Sequence, residues 1–331
     1  MVLHSSKQET QFSQQRVPRW SHTNLFSPSK HCNFIFWIKN HDTSFFLLNK
    51  TWFLISLPCG SKVVGWKWIF ENKNNVDGSF QRHKARLVAK GFNQAAGCNY
   101  NETFSSVIKP STIRVVLSHV VSAAWPIHQI DVNNAFLNGE LQEDVYMQHP
   151  LGFESSSPHL VCKLQKAICG LKQAPRSWFE KLGSTLELFG FHYTKSDNSL
   201  FVKFHNSYTI FILIYVDDIV ITRSSASHIQ ALIQKLGSFF ALKDLGHLHY
   251  FLGIEVQHLK DGNILLSQTK YINDLLRRTH MNEVNHVLIP LQYALRLPKN
   301  ASPEVQDSTL YRSIVSALQY TLITRMISAN L

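Results

Sequence analysis

The sequence has few cysteines, and their spacing does not suit metal or disulfide chemistry. Five cysteines are spread over 331 residues, and no two of them form a Cys-x-x-Cys pair. This spacing argues against a zinc site or a disulfide framework and fits a reducing intracellular compartment. The seventeen histidines are also scattered, with no His-x-x-x-His pair beside a third ligand. We therefore expect neither residue type to form a metal centre.

Acidic residues and long apolar runs are scarce as well. Asp and Glu total 22 against 33 Lys and Arg, which gives a net charge of +11. This balance favours a polyanionic partner, nucleic acid before a membrane, although a solvated basic surface is the alternative. The apolar stretches at residues 34–38 and 45–48 are too short to span a bilayer, and residues 1–10 are too polar for a signal peptide. We expect an intracellular protein that is not secreted and has no membrane partner.

The composition that remains is that of a folded protein, with 44% hydrophobic and 12% aromatic residues. Residues 1–48 lack periodicity and are predicted to be disordered. From Thr51 onwards, strand patterns alternate with helical ones, including a helix that we expect Ser111 to cap. Hairpin turns are indicated at Asp77-Gly78 and Asp261-Gly262. The order of elements predicts an α+β fold, with helices on one face of a mainly antiparallel sheet.

The most informative segment is Tyr215-Val216-Asp217-Asp218, which lies between two β-branched apolar runs. Two adjacent carboxylates repel each other, and apolar surroundings raise their pKa values. A divalent cation would remove both penalties. The segment therefore predicts a hairpin whose tip holds a metal ion.

Asp131 is the best partner for this carboxylate pair. It lies within a predicted strand at residues 127–132, where aspartate is a poor strand former and needs a reason to be present. A lone Asp of this kind is most often a structural cap or hydrogen-bond partner. Beside Asp217 and Asp218 on a neighbouring strand, it instead becomes part of a two-metal candidate for Mg²⁺.

A row of cations follows the first predicted hairpin. Arg82, Lys84 and Arg86 are two residues apart, so they share one face of a strand. Such a row can bind phosphates, and a solvated edge strand protected by charge is the equally weighted alternative.

Taken together, the chain closely resembles the reverse transcriptases of Ty1/copia-type retrotransposons. The resemblance extends from about Thr51 to Gln319, roughly four fifths of the chain. The blocks that carry it occur in the family's order, at residues 67–70, 84–92, 102–105, 129–139, 170–176, 215–219, 243–246 and 250–256. The resemblance implies a right-hand polymerase fold with fingers, palm and partial thumb, the palm sheet being antiparallel. It also implies an RNA-directed DNA polymerase that binds an RNA or DNA template-primer and dNTPs.

The family motifs assign roles to the metal-binding residues. The resemblance implies that Asp131 and Asp217 bind two Mg²⁺ ions, with Mn²⁺ as an alternative. The Val132 carbonyl assists, and Asp218 is the less direct carboxylate.

The same motifs assign the nucleotide and primer contacts. Lys84 or Arg86 would hold the triphosphate, and Phe136 would select against a ribonucleotide 2′-hydroxyl, with a core phenylalanine as its alternative. Gln173 would touch the nucleotide and template, an exposed loop glutamine being the alternative, and Lys243 would protonate the pyrophosphate. The primer end would rest on Phe251, Leu252 and Gly253.

The resemblance also sets expected domain limits and leaves competing functions open. It implies a reverse transcriptase domain at residues 49–290, followed at residues 291–331 by a linker and the truncated start of the connection toward a missing RNase H domain. The expected location is the cytoplasm, within a virus-like particle, or the nucleus. The main alternative is an inactive remnant that binds nucleic acid without polymerising. A metal-dependent phosphodiesterase is a third interpretation, but it explains neither Phe136 nor Gln173.

Overall fold

The computed structural model describes residues 46, 49–74, 79–151, 153, 159–224, 227–260, 262–285 and 305–325. The N-terminal segment that we predicted to be disordered lies outside these ranges except for Phe46, as do Asp77, Gly78 and Asp261.

Fifteen strands and five α-helices fall within the described ranges. The strands are β1 (Trp52–Ser56), β2 (Val63–Val64), β3 (Trp66–Asn74), β4 (Phe80–Ala89), β5 (Ile127–Val132), β6 (Glu140–Met147), β7 (Leu160–Lys166), β8 (His192–Tyr193), β9 (Leu200–His205), β10 (Tyr208–Tyr215), β11 (Asp218–Arg223), β12 (Leu242–His247), β13 (Tyr250–Phe251), β14 (Ile254–His258) and β15 (Ile264–Ser267). The helices are α1 (Pro110–Ser122), α2 (Ala174–Leu188), α3 (Ser227–Gly237), α4 (Thr269–Arg278) and α5 (Ser308–Arg325).

The central element is a six-stranded sheet in the order β12-β5-β11-β10-β9-β8. Every pairing in it is antiparallel, as the sequence predicted. A four-stranded sheet, β1-β7-β6-β2, lies apart from it and contains one parallel pair, β2 with β6. Strands β3 and β4 form the separate hairpin that carries the cations, and β13-β14-β15 form a three-stranded sheet.

The prediction that helices cover only one face of the sheet was wrong. Ile210 and Ile212 of β10 pack into a core with α2 and α3, whereas the alternate residue Leu213 packs into a second core with α1. Strand β10 is apolar at every position from 210 to 214, so both of its faces have to be buried. Helices therefore lie on both sides.

The start of α1 also differs from the prediction. The helix begins at Pro110, and Ser111 lies inside its first turn instead of capping it. Asp197 instead ties down the segment around the helix start, since its Oδ2 accepts hydrogen bonds from the Lys109 backbone N–H at 2.9 Å and from the Thr112 hydroxyl at 2.6 Å. A buried acid from a distant loop thus fixes the entry to α1 without capping its backbone N–H groups.

Candidate polymerase active site

Tyr215 to Asp218, which we call the catalytic turn after the role predicted for it from the sequence, joins β10 to β11 in a hairpin as predicted. Tyr215 pairs with Asp218, so Val216 and Asp217 form a two-residue turn. Val216 has a φ of 55°, a costly conformation for a β-branched residue. Its carbonyl oxygen accepts a hydrogen bond of 2.6 Å from the indole Nε1 of Trp178 in α2. The buried indole thus holds a strained turn in place.

The three predicted carboxylates meet at one end of the six-stranded sheet. Asp218 lies directly opposite Asp131, and Lys243 lies opposite Asp131 on its other side. Residues paired in this way project from the same face of a sheet. The carbonyl oxygen of Asp217 accepts a 2.9 Å hydrogen bond from the Val132 N–H, which ties the catalytic turn to β5. The strands thus bring together residues that lie far apart in the sequence.

Both carboxylates of the turn resist ionisation. Burial raises the pKa of Asp218 to about 6, and the neighbouring charges of Asp217 and Asp131 contribute to this rise. A hydrogen bond from the Gln129 amide opposes it. Asp217 lies at the exposed tip of the turn, yet the protein around its carboxyl group raises its pKa, and Asp131 adds to the effect. A nearby divalent cation would stabilise both charged forms.

An all-oxygen donor set of this kind fits Mg²⁺. Within the part of the chain that the structure describes, no three His, Cys, Asp or Glu side chains are already gathered as a complete metal site. Mg²⁺ commonly takes one or two protein carboxylates and completes its shell with water and substrate phosphates. The oxygen donors of Asp131, Asp217 and Asp218 are of the type that such an ion binds.

The cation row on β4 acts on the same site. Lys84 and Arg86 both favour the charged form of Asp217, opposing the effect of its burial. Arg86 also donates to Glu71 across the hairpin at 3.0 Å, and both of these side chains are about 41% exposed. Lys84 is half-buried, and burial together with the neighbouring Arg86 lowers its pKa. Lys84 and Arg86 are therefore close enough to Asp217 to affect its charge, whereas Arg82 of the same row is exposed.

Two glycines bring the hairpin close to the segment before α2. A Cβ on Gly91 would lie 2.0 Å from the Gly170 carbonyl oxygen, and one on Gly170 would lie 2.2 Å from the Ala89 carbonyl oxygen. Gly170 also has a φ of +91°, which favours glycine. The Cys169 carbonyl accepts a 2.8 Å bond from the Ala89 N–H, which completes this junction.

Phe136 lies on a short 3₁₀ helix at Ala135–Asn138, immediately after β5. Its ring is partly buried and packs against both the core of the six-stranded sheet and the core of the four-stranded sheet. This position follows the Asp131 strand, as the sequence predicted, and it agrees equally with a core phenylalanine. Its role in sugar selection stays a prediction.

Gln173 is not the exposed loop residue of the alternative interpretation. It is 2% exposed, and its amide nitrogen donates to the Asn99 carbonyl at 2.8 Å. Its amide oxygen accepts a 2.9 Å bond from Gln94. Both ends of the side chain are therefore hydrogen-bonded within the protein, and because the residue is buried, a nucleotide reaches it only if neighbouring groups move.

The predicted primer-contact residues form a second tight turn, the primer-grip turn. Phe251 pairs with Ile254, leaving Leu252 and Gly253 as its two central residues with φ values of 52° and 72°. Two positive φ values are typical of the turns that match strand twist. Phe251 is buried, and the Leu252 carbonyl accepts a hydrogen bond from the hydroxyl of Tyr320 in α5.

Three residues at this site were missed from the sequence. Gln129 donates to Asp218 at 3.1 Å, Trp178 holds the Val216 carbonyl, and Tyr320 holds the Leu252 carbonyl. Gln129 could have been found, because it lies two residues before Asp131 and so shares its face of β5. The two aromatic donors left no local signal, since each acts on a turn 38 or 68 residues away.

Comparison with known proteins identifies the family. Residues 49–293 match the family described as reverse transcriptase (RNA-dependent DNA polymerase). The chain belongs to this reverse transcriptase family. The resemblance to Ty1/copia-type elements is thereby confirmed, since the relatives include Pol polyproteins of such transposons.

Two plant relatives show how the chain relates to longer proteins. It is 47% identical over 279 residues to the retrovirus-related Pol polyprotein from transposon RE1 of Arabidopsis thaliana, covering 84% of this chain and 19% of that protein. It is 38% identical over 284 residues to the corresponding polyprotein from transposon TNT 1-94 of Nicotiana tabacum, covering 83% and 21%. The chain thus spans about a fifth of the length of these relatives.

Among solved structures, a foamy viral protease–reverse transcriptase aligns with a TM-score of 0.34 and 12% identity, over 70% of this chain and 34% of that one. This likeness is too loose to support a conclusion.

No helix in the described ranges is both long enough and apolar enough to cross a membrane.

Proposed function

We propose that the chain is an RNA-directed DNA polymerase domain that adds dNTPs to a primer 3′-hydroxyl on an RNA or DNA template. The observation that carries this proposal is the meeting of Asp131, Asp217 and Asp218 at one sheet end, beside the β4 cations. Family membership supports the same chemistry. The right-hand division into fingers, palm and thumb at residues 49–290 belongs to the proposal.

In this proposal Asp131 and Asp217 hold two Mg²⁺ ions, or Mn²⁺ in their place, with help from the Val132 carbonyl. Such ions would lower the pKa of the attacking hydroxyl and offset charge on the leaving pyrophosphate. Asp218 supports the pair from its position opposite Asp131, where the Gln129 amide fixes its carboxyl group.

The remaining residues orient the substrates. Lys84 and Arg86 bind the triphosphate, because they are the cations that act on Asp217. The primer 3′-hydroxyl gives its proton to solvent, and its oxygen forms a bond to the α-phosphorus while the bond from that phosphorus to the oxygen it shares with the β-phosphorus breaks. Lys243, exposed and opposite Asp131, then gives a proton from Nζ to the departing pyrophosphate. Phe136, which follows Asp131 on the chain, packs below the sugar.

Primer extension on poly(rA)/oligo(dT) with Mg²⁺ tests the proposal. Asp217→Asn should lower the rate by at least about a thousandfold, a loss of about 4 kcal/mol in transition-state stabilisation. Asp144→Asn is the matched control, because Asp144 is an acid on β6 that is 61% exposed and bonded to Lys163. Full activity in Asp217→Asn would contradict the role of that residue.

One observation favours a second candidate, a nucleic-acid-binding remnant that does not polymerise. The Gln173 side chain is 2% exposed and hydrogen-bonded to Gln94 and Asn99, so a nucleotide does not reach it in this arrangement. Salt-dependent binding of a primer-template without incorporation of dNTPs would support the remnant. Release of nucleotides from a duplex without added dNTPs would instead indicate a phosphodiesterase.

A further inference from the structure

The C-terminal helix α5 reaches the primer-grip turn through Tyr320. The Tyr320 hydroxyl donates a hydrogen bond to the Leu252 carbonyl oxygen, 68 residues earlier in the chain. The ring also faces Gly253, since a Cβ built there would lie 3.3 Å from the ring carbon Cε1 of Tyr320. One side chain therefore contacts both central residues of the turn.

Further bonds hold this helix beside α4. The Tyr271 hydroxyl donates to the Ala317 carbonyl at 3.3 Å, and the Gln268 amide donates to the Tyr320 carbonyl at 3.4 Å. The rings of Tyr271 and Tyr320 lie 5.1 Å apart. Helix α5 is thus anchored at several points around the turn, rather than by a single contact.

The turn needs an external anchor because of its own backbone. Leu252 has a φ of 52°, which costs a non-glycine residue about 1–2 kcal/mol. The hairpin pairs only two residues on its β13 side, so few ladder bonds oppose that strain. Capturing the Leu252 carbonyl favours the strained conformation over an extended one.

Tyr320 also lies near the catalytic hairpin. Burial raises the pKa of its hydroxyl, and the nearby Tyr215, Tyr271 and Tyr250 hydroxyls act in the same direction. The group therefore stays protonated and able to donate. Tyr215 closes the catalytic turn, and Tyr215 and Leu252 both pack against the core that α1 helps to form, so the two turns border one hydrophobic cluster.

We infer that Tyr320 is a positioning residue, which fixes the primer-grip turn relative to the catalytic turn and makes α5 a working part of the polymerase unit. This inference rests on the proposed function. It extends that unit beyond residue 293, where the family match ends, into a segment that the sequence predicted to be only a linker and a truncated connection.

The first test is Tyr320→Phe in the full chain, which removes one hydroxyl and keeps the ring. Primer-template affinity, measured by fluorescence anisotropy, should fall about tenfold, equal to about 1.4 kcal/mol. The loss should appear in primer-template binding and not in the KM for dNTP, because Tyr320 contacts the primer-grip turn and none of the residues proposed to bind the nucleotide. Tyr311→Phe is the control, because Tyr311 lies on the same helix and is 55% exposed.

A readout without nucleic acid separates this inference from the proposed function. Amide hydrogen exchange across residues 250–256 should become about tenfold faster in Tyr320→Phe and stay unchanged in Tyr311→Phe. If the wild-type chain proves unable to polymerise, this measurement still decides whether Tyr320 holds the turn. Unchanged exchange together with unchanged primer affinity would overturn the inference.

A glycine pair provides the second test. Gly253→Ala and Gly262→Ala both place a side chain at positive φ, at +72° and +87°. Only at position 253 would the new Cβ meet Tyr320 and Tyr271, while position 262 has nothing within 4 Å. Gly253→Ala should therefore weaken primer-template binding about tenfold relative to Gly262→Ala. Equal binding by the two variants would contradict the contact with Tyr320.

Discussion

The catalytic turn and the primer-grip turn are built alike but anchored differently. Each has two central residues, and the first of these, Val216 or Leu252, has a positive φ. In each, the carbonyl of that residue accepts a hydrogen bond from an aromatic side chain on a helix. Trp178 is 1% exposed and lies within the core, whereas Tyr320 lies near the end of the described chain.

The difference shows which interactions each turn depends on. The anchor of the catalytic turn is part of the same core as β10 and β11, so losing that anchor would disturb the whole domain. The anchor of the primer-grip turn can be lost while the six-stranded sheet stays folded, since α5 lies outside that core. Metal binding and primer binding should therefore fail separately.

The strongest test of this contrast is Trp178→Phe. It leaves the Val216 carbonyl without its donor and leaves a space in the core, which together should cost about 2–4 kcal/mol of unfolding free energy. We expect kcat for primer extension to fall about a hundredfold, since a misplacement of about 1 Å can cost that much. Denaturant unfolding and steady-state kinetics give the two values.

Trp66→Phe is the matched control for this variant. The Trp66 indole donates a hydrogen bond of 2.8 Å to the His149 carbonyl, and both residues lie far from the two turns in the sequence. It should lower stability but leave kcat within about twofold of wild type, a change that corresponds to only about 0.4 kcal/mol in activation free energy. A comparable loss of kcat in both variants would mean that Trp178 acts only through global stability.

A second test uses charge, which the catalytic turn has and the primer-grip turn lacks. The folded pKa of Asp218 is raised from 3.8 to about 6, so the folded state holds its proton more tightly than the unfolded state does. In EDTA, the contribution of Asp218 to the unfolding free energy should therefore decrease as pH rises from about 4 to about 6, by on the order of 2–3 kcal/mol, and then level off, whereas carboxyl groups with a lowered pKa, such as Glu71 and Glu255, contribute in the opposite direction. Urea titrations across this range measure it.

Asp218→Asn should remove most of this pH dependence, while Tyr320→Phe should retain it. Mg²⁺ should restore stability at pH 7 but have less effect at pH 4, where the Asp218 carboxyl group is protonated. A wild-type stability that rises between pH 4 and 6 in EDTA relative to that of Asp218→Asn would show that the Asp218 pKa is depressed instead.

The parts of the site that the sequence predicted are those governed by local pattern. Asp131, Asp217 and Asp218 were identifiable because acids within apolar strands are costly and need a partner. Their convergence followed from strand order, and the registers confirm that β5 and β11 are neighbours.

The parts that the sequence did not predict depend on contacts between distant segments. The burial of Gln173 depends on Gln94 and Asn99, which lie 79 and 74 residues away. The anchors Trp178 and Tyr320 have ordinary helical surroundings, and only the folded chain shows which carbonyl each one meets. A hydrogen bond between distant segments leaves no repeating pattern in the sequence from which it could be predicted.

The smallest expected effect on the unfolding free energy comes from replacing Val216, the first central residue of the catalytic turn, with glycine, which is common in turns. Val216→Gly removes the conformational cost of the positive φ, which is about 1–2 kcal/mol. It also increases the entropy of the unfolded chain and removes a half-buried side chain, and both effects destabilise the fold. The unfolding free energy should therefore stay within about 1 kcal/mol of wild type. Val220→Gly is the control, since Val220 is 1% exposed in the extended strand β11 and should lose about 3 kcal/mol or more. Equal losses in both variants would mean that the backbone strain at Val216 is not relieved. A small loss at Val216 with retained kcat would instead show that the Trp178 bond to the carbonyl, which glycine keeps, fixes the turn.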